Sequence, residues 1–214
     1  MTTTDIAEQS NLPASLQHVN AKLMVKPPAA AALEAMIPVL HGWIQERGHP
    51  EPLPEQLPEE LIDVADYRHV PAGPGLLLVG HEANYSLDAA GGRWGVRYNR
   101  KLPMFEATPQ QRLRQAVGSA LKACRRLEQD ARLNDGIRFD GRRVEVFVND
   151  RLLAPNTEAT RAALESELRT LFGALFGGGA YTLTYDNERR RLFSATALSA
   201  EAYTTEALLR NLGK

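Results

Sequence analysis

Residues 74–101 read PGLLLVGHEANYSLDAAGGRWGVRYNRK. The stretch opens on an apolar run, Leu76, Leu77, Leu78 and Val79, held between Gly75 and Gly80. So short a run between glycines is the pattern of a strand covered on both faces. Behind it crowd His81, Glu82, Asn84, Tyr85, Asp88, Arg97, Tyr98, Asn99 and Arg100. Polar groups gathered at the end of a strand are where folds tend to place ligand contacts. Residues 85–88 and 94–99 read as two arms of a hairpin joined through Ala89, Ala90, Gly91 and Gly92.

Upstream, residues 1–15 are small and polar and read as a disordered tail. From Leu16 the chain alternates: Val19, Ala21, Leu23 and Val25 point one way, His18, Asn20, Lys22 and Lys26 the other. Period-two alternation predicts a strand with one buried face. Pro27 and Pro28 stop it and start a helix, whose stripe is Leu33, Met36, Ile37, Leu40 and Ile44. Pro38 should kink that helix, and Gly48 ends it. The proline-rich residues 49–60, HPEPLPEQLPEE, form a surface connector, and a strand over 61–70 follows.

Downstream, Thr108-Pro109-Gln110-Gln111 has the form of a capping box with proline at the first helical position. It predicts a helix over 108–132. Leu113, Val117, Ala120, Leu121, Cys124, Leu127 and Ala131 are its apolar face; Arg112, Arg114, Lys122, Arg125, Arg126 and Arg132 make a basic outer face. Asp140-Gly141 reads as the type I′ turn of a hairpin between 137–139 and 142–149, with Val144, Val146 and Val148 as its buried row. Asn156-Thr157 caps a further helix with Leu164, Leu168, Leu171, Phe172 and Leu175 on one face, ended by Gly177, Gly178 and Gly179. Strands at 181–185 and 192–198 and a helix at 204–212 close the chain.

Hairpin-linked strands and segregated helices define an α+β class. The expected architecture is a two-layer sandwich, an antiparallel or mixed sheet with helices mainly on one face. The order contains two β-α-β-β pseudo-repeats, 16–79 and 142–198, each entering its helix through proline. Their sequence identity is slight, and geometry alone could produce the likeness. A single α+β domain is expected over 16–214, with sub-units 16–101 and 136–214 bridged by the helix 108–132.

Composition narrows the function. Lys plus Arg total 25 against 26 acidic residues, a net charge of −1, which argues against a general nucleic-acid binder. One cysteine, Cys124, excludes an intramolecular disulfide and a cysteine-rich zinc site. The start of the chain lacks the basic and apolar segments of a secretory signal. No window reaches the roughly 18 to 20 apolar residues a membrane span needs. A soluble cytoplasmic protein without membrane insertion is expected.

No catalytic set assembles. His81 and Glu82 are adjacent, so on a regular strand they point to opposite faces and make no direct dyad; Tyr85 stands where an H-E-x-x-H site needs histidine. A contribution of His81 and His69 to a metal site lacks the remaining ligands, and a hydrogen-bonding role for His81 is the plainer reading. Arg97 and Asn99 share one face of their strand, with Tyr98 and Arg100 on the other. Arginine's planar fork suits carboxylate or phosphate, although charge at an edge strand also serves against aggregation. Arg142, Arg143 and the run Arg189-Arg190-Arg191 read as solvated turn tips. The glycine clusters match no phosphate loop, Cys124 lies on an apolar helix face, and Ser86 and Ser119 lack a nucleophile elbow.

The leading expectation is therefore a non-catalytic binding protein, with a protein partner or a homo-oligomer and no cofactor. Trp43, Trp94 and Phe105 are candidates for its interface. The alternative is an enzyme or binding domain for a small anionic ligand, using His81, Glu82, Tyr85, Arg97, Asn99 and Arg100. RNA binding through the basic helix and hairpins is the weakest of the three.

Overall fold

The computed structural model describes residues 12–28, 30–46, 57–71 and 73–213. Among the described residues five α-helices and eight strands follow in the order α1 (Leu12–Ser15), β1 (Val19–Val25), α2 (Ala30–Gln45), β2 (Leu61–Tyr67), β3 (Gly75–Gly80), β4 (Ala83–Asp88), β5 (Gly95–Arg100), α3 (Pro109–Gln129), β6 (Phe139–Val148), α4 (Glu158–Leu175), β7 (Tyr181–Tyr185), β8 (Phe193–Ser199) and α5 (Thr205–Leu212). The strands form one sheet in the order β2-β3-β4-β5-β1-β6-β8-β7. Every pairing is antiparallel.

The described helices pack on one side. α2 and α3 cover Leu76, Leu78, Tyr85, Leu87 and Val96. α3 and α4 cover Val146, Val148 and Phe193. The fold is thus an α+β two-layer sandwich. Its two halves share a plan: β1 leads through α2 to a meander whose last strand, β5, returns to β1. In the same way β6 leads through α4 to β7, and β8 returns to β6. β1 and β6 pair antiparallel where the halves meet. The first meander has four strands and the second two, so the repeated unit of the first half runs on to β5 instead of stopping at Val79.

Local signals translate well. Thr108 Oγ1 accepts from the Gln111 N–H at 3.2 Å and the Gln111 side chain accepts from the Thr108 N–H at 2.7 Å, completing the capping box. Thr157 and Thr204 cap α4 and α5 with their side-chain oxygens, which accept from the Thr160 and Ala207 N–H groups. Pro38 sits inside α2, and positive φ at Gly177 and Gly178 turns the chain out of α4. The hairpin of β4 and β5 turns through Gly91 and Gly92, both at positive φ.

Several expectations are overturned by neighbours distant in sequence. The run 76–79 belongs to β3, which lies next to the sheet edge, and only alternate residues of it are buried. The middle of the sheet is β1, and it is buried on both faces where alternation predicted one. Leu12–Ser15 is a helical turn with Leu12 buried, so the tail as predicted ends at least four residues too late; residues 1–11 lie outside the described ones. The connector does not stay on the surface: Leu57 and Glu59 are buried, while residues 49–56 of it lie outside the described residues. Trp43 is core, with the Arg126 guanidinium 4.3 Å over its ring, and offers no interface; Phe105 is exposed.

The basic face of α3 is largely occupied. Arg112 is buried and donates to the carbonyls of Ala14, Met104 and Phe105. Arg114 donates to the carbonyl of Leu212, and Arg126 to the carboxylate of Glu46. That leaves less free charge on this face than RNA binding would draw on. Ala131, placed on the apolar face, is exposed beyond the helix end.

Asp140-Gly141 makes no hairpin. β6 continues through it from Phe139 to Val148, with an irregularity in its register against β1 between Val144 and Phe139, and Gly141 does not take the positive φ a type I′ turn demands. The glycine serves close approach: a Cβ there would lie 1.6 Å from the Tyr203 carbonyl oxygen, and the Tyr203 N–H donates to the Gly141 carbonyl at 3.0 Å. Arg142 and Arg143 are therefore strand residues and not a turn tip.

Candidate functional site

A pleated strand sends alternate side chains to opposite faces. With the apolar set turned to the described helices, the residues between them face the other side of the sheet, which no described helix covers and which is the helix-free face below. Register aligns them in rows. Ser86, Arg97, Lys22, Glu145 and Thr196 follow one another across β4, β5, β1, β6 and β8. Beside that row run Asn84, Asn99, Asn20, Phe147 and Ser194. Directly opposite residues of adjacent strands stand about 5 Å apart, close enough to act on each other.

Long side chains from the β5 side reach across β1 and roof it. The Arg97 guanidinium lies 4.7 Å over the ring of Phe147 on β6, and Asn20 beneath this crossing is fully buried. Arg93, just before β5, reaches Glu145 on β6 at 3.9 Å. Lys22 turns the other way and places Nζ 2.5 Å from Asp88 Oδ1 and 2.9 Å from the Arg93 carbonyl. Gly95 lies in that path: a Cβ there would come within 2.5 Å of Lys22 Cε. Asp88 Oδ1 also accepts from the Ala90 N–H at 2.9 Å.

Burial lowers the pKa of Arg97, with the charges of Asp88 and Glu145 opposing the shift. Its Nε has no acceptor among the described residues, nor does Arg143 Nε. Asn20 Nδ2 and Asn99 Oδ1, which face each other across β1 and β5, are likewise unmatched. Four unmatched buried atoms on one face are unusual, since buried polar atoms normally find partners.

Burial raises the Glu145 pKa, while Arg93, Lys22, the Ser194 hydroxyl and Arg97 pull it down. A carboxyl with a higher pKa folded than unfolded contributes stability that is complete below its usual value of 4.5 and fades as pH rises through the folded value. Glu145→Gln carries no such dependence. Its melting temperature relative to the parent chain is expected to climb as pH rises from 4.5 towards neutrality. A difference that stays flat over this window would count against the buried-carboxylate account.

The candidate residues named from sequence do not converge. Arg97 and Asn99 stand on the helix-free face, one residue from Tyr98 and Arg100, which turn to the other side. Arg100 donates to the Leu102 carbonyl at 2.7 Å and to the Tyr98 hydroxyl at 3.4 Å. Tyr85 is buried under the helices. His81 is exposed in the β3–β4 turn, and Glu82 beside it accepts from the Glu60 N–H at 3.2 Å. His81, Tyr85 and Arg97 thus share no pocket.

Tyr85 belongs to a separate buried cluster. Its hydroxyl donates to Glu59 Oε2, while the Ser119 hydroxyl donates to Oε1 at 3.1 Å. Gln115 Nε2 donates to the Tyr98 hydroxyl at 2.7 Å. Burial first, then the Glu59 charge, pushes Tyr85 well above the usual tyrosine pKa; burial pushes Tyr98 up to about 12. Both stay protonated at neutral pH, Tyr85 as a donor to Glu59 and Tyr98 as an acceptor from Gln115 and Arg100. The cluster fastens the end of the connector to β4, β5 and α3.

Cys124 is fully buried, and burial raises its thiol pKa, which holds it protonated and away from nucleophilic use. Among the described residues no group of three or more His, Cys, Asp or Glu is placed to hold a metal. No described helix is long and apolar enough to cross a membrane.

The face escaped sequence reasoning at Asn20, Lys22, Asp88, Glu145 and Phe147. The one available signal was that polar residues alternate with apolar ones in β1 and β6, which reads equally as a solvated face.

No family model matches this chain. A stretch of 59 residues, 28% of the chain, is 36% identical to malate synthase G of Halalkalibacterium halodurans, and the chain spans 8% of that protein's length.

Proposed function

We infer that this protein is a non-catalytic binding module that engages a protein partner or a second copy of itself through the helix-free face of its sheet. The observation that carries this reading is the one-sided packing of the described helices: on the opposite side Lys22, Asp88 and Glu145 are buried, while Arg93 is exposed and Arg97, Asn99 and Thr196 are half-buried. That side continues to β2, where Tyr67 is exposed. β2 is also a sheet edge, and unpaired edge strands and apolar patches rimmed by charge are the raw material of protein interfaces. Two gaps between sheet and helices lined by described residues are about 10 and 20 Å³ and apolar, each too small to hold a substrate.

A photo-cross-linking residue placed at Thr196, on the charged face, is expected to yield a discrete polypeptide adduct in the protein's own cells. The same residue at Lys122, exposed on α3, is expected to yield none. Native mass spectrometry of the adduct separates a foreign partner from a dimer. Adducts from Lys122 alone, or from neither position, would overturn the reading.

A further inference from the structure

We propose that Arg97 and Phe147 form a carboxylate-binding subsite on the helix-free face. The proposal rests on that face being the working surface, and names the chemistry it receives.

The argument is one of unmatched charge. Lys22 is answered by Asp88 at 2.5 Å and Glu145 by Arg93 at 3.9 Å. Arg97 stands beside Lys22 in the same row, and its Nε finds no acceptor among the described residues. Stacking on Phe147 occupies one flat face of the guanidinium. The N–H edges remain, and they match the two oxygens of a carboxylate. Asn20 Nδ2, a second donor without an acceptor, lies on the strand that the arginine crosses. One unmatched cation flanked by Asp88 and Glu145 suits a single negative charge better than a doubly charged phosphate. Arg143 does not extend the clamp, because four residues of β6, about 13 Å of strand, separate it from Phe147.

The carboxylate can belong to an acidic side chain of a partner or to a free small acid. The test follows the Arg97 side-chain Nε–Hε signal by NMR in the full chain at constant ionic strength. Titration with succinate is expected to move it saturably, and neutral succinamide to leave it in place. Half-saturation at micromolar succinate would assign the site to a free acid; at millimolar, to a partner's side chain. Arg97→Lys keeps the charge and loses the fork, so succinate affinity, read from the backbone amide of Phe147, should fall about tenfold. Should that variant not fold, Phe147→Leu is expected to weaken binding severalfold. No saturable response, equal response to phosphate, or unchanged affinity in the folded variant would overturn the subsite. Partner adducts at Thr196 without a succinate response would remove the subsite and leave the binding face standing.

Discussion

Lys22→Met is expected to cost this fold about 3–5 kcal/mol, the penalty for stranding one member of a buried ion pair. Lys22 and Asp88 side chains are each 4% exposed, so water cannot replace the lost ammonium. The Ala90 N–H remains on the Asp88 carboxylate but carries no full charge. A urea-unfolding midpoint reads the loss directly. The double variant Lys22→Met, Asp88→Asn removes both charges and keeps an acceptor for Ala90. It is expected to recover more than half of the loss, since a buried pair often contributes little beyond what an uncharged replacement supplies. A single variant that loses under about 1 kcal/mol, or a double variant no better than the single, would show that the pair is solvated.

Gly141→Ala is expected to destabilise by about 3 kcal/mol, the upper part of the range for forced overpacking. The added carbon would fall 1.6 Å from the Tyr203 carbonyl oxygen, which is backbone and cannot rotate aside. Relief requires moving 200–203 off β6, which also breaks the Tyr203 N–H bond to the Gly141 carbonyl. Gly118→Ala supplies the contrast. Gly118 lies inside α3 with open space where its Cβ would go, and alanine there should stabilise by roughly 0.5–1 kcal/mol. Thermal unfolding of the two variants is expected to shift in opposite directions. Equal shifts would mean that the contact with Tyr203 does not hold the segment.

Gly141 also shows where local reading stops. An Asp-Gly pair is a strong turn signal because glycine tolerates positive φ. Glycine's other use, letting two backbones touch, leaves the same letters in the sequence, and the touching partner here is sixty-two residues away. Lys22 raises the same problem. Alternation in β1 correctly put Lys22 opposite Leu23, but a polar residue facing away from the helices reads as solvated. Only the placement of β1 between β5 and β6 brings Asp88, Arg93 and Arg97 over it.

What the chain determined by itself are properties carried by residues within a turn or two of each other. The capping box at Thr108 and Gln111, the apolar stripes of α3 and α4, the strand 75–80 and the sharing of one face by Arg97 and Asn99 all follow from period and short-range hydrogen bonding. Strand order, the burial of both faces of β1, the inward turn of Glu59 and the stacking of Arg97 on Phe147 arose only in the tertiary structure. Each depends on which strands meet, and that is set by packing among segments far apart in the chain, an energy that no local window contains.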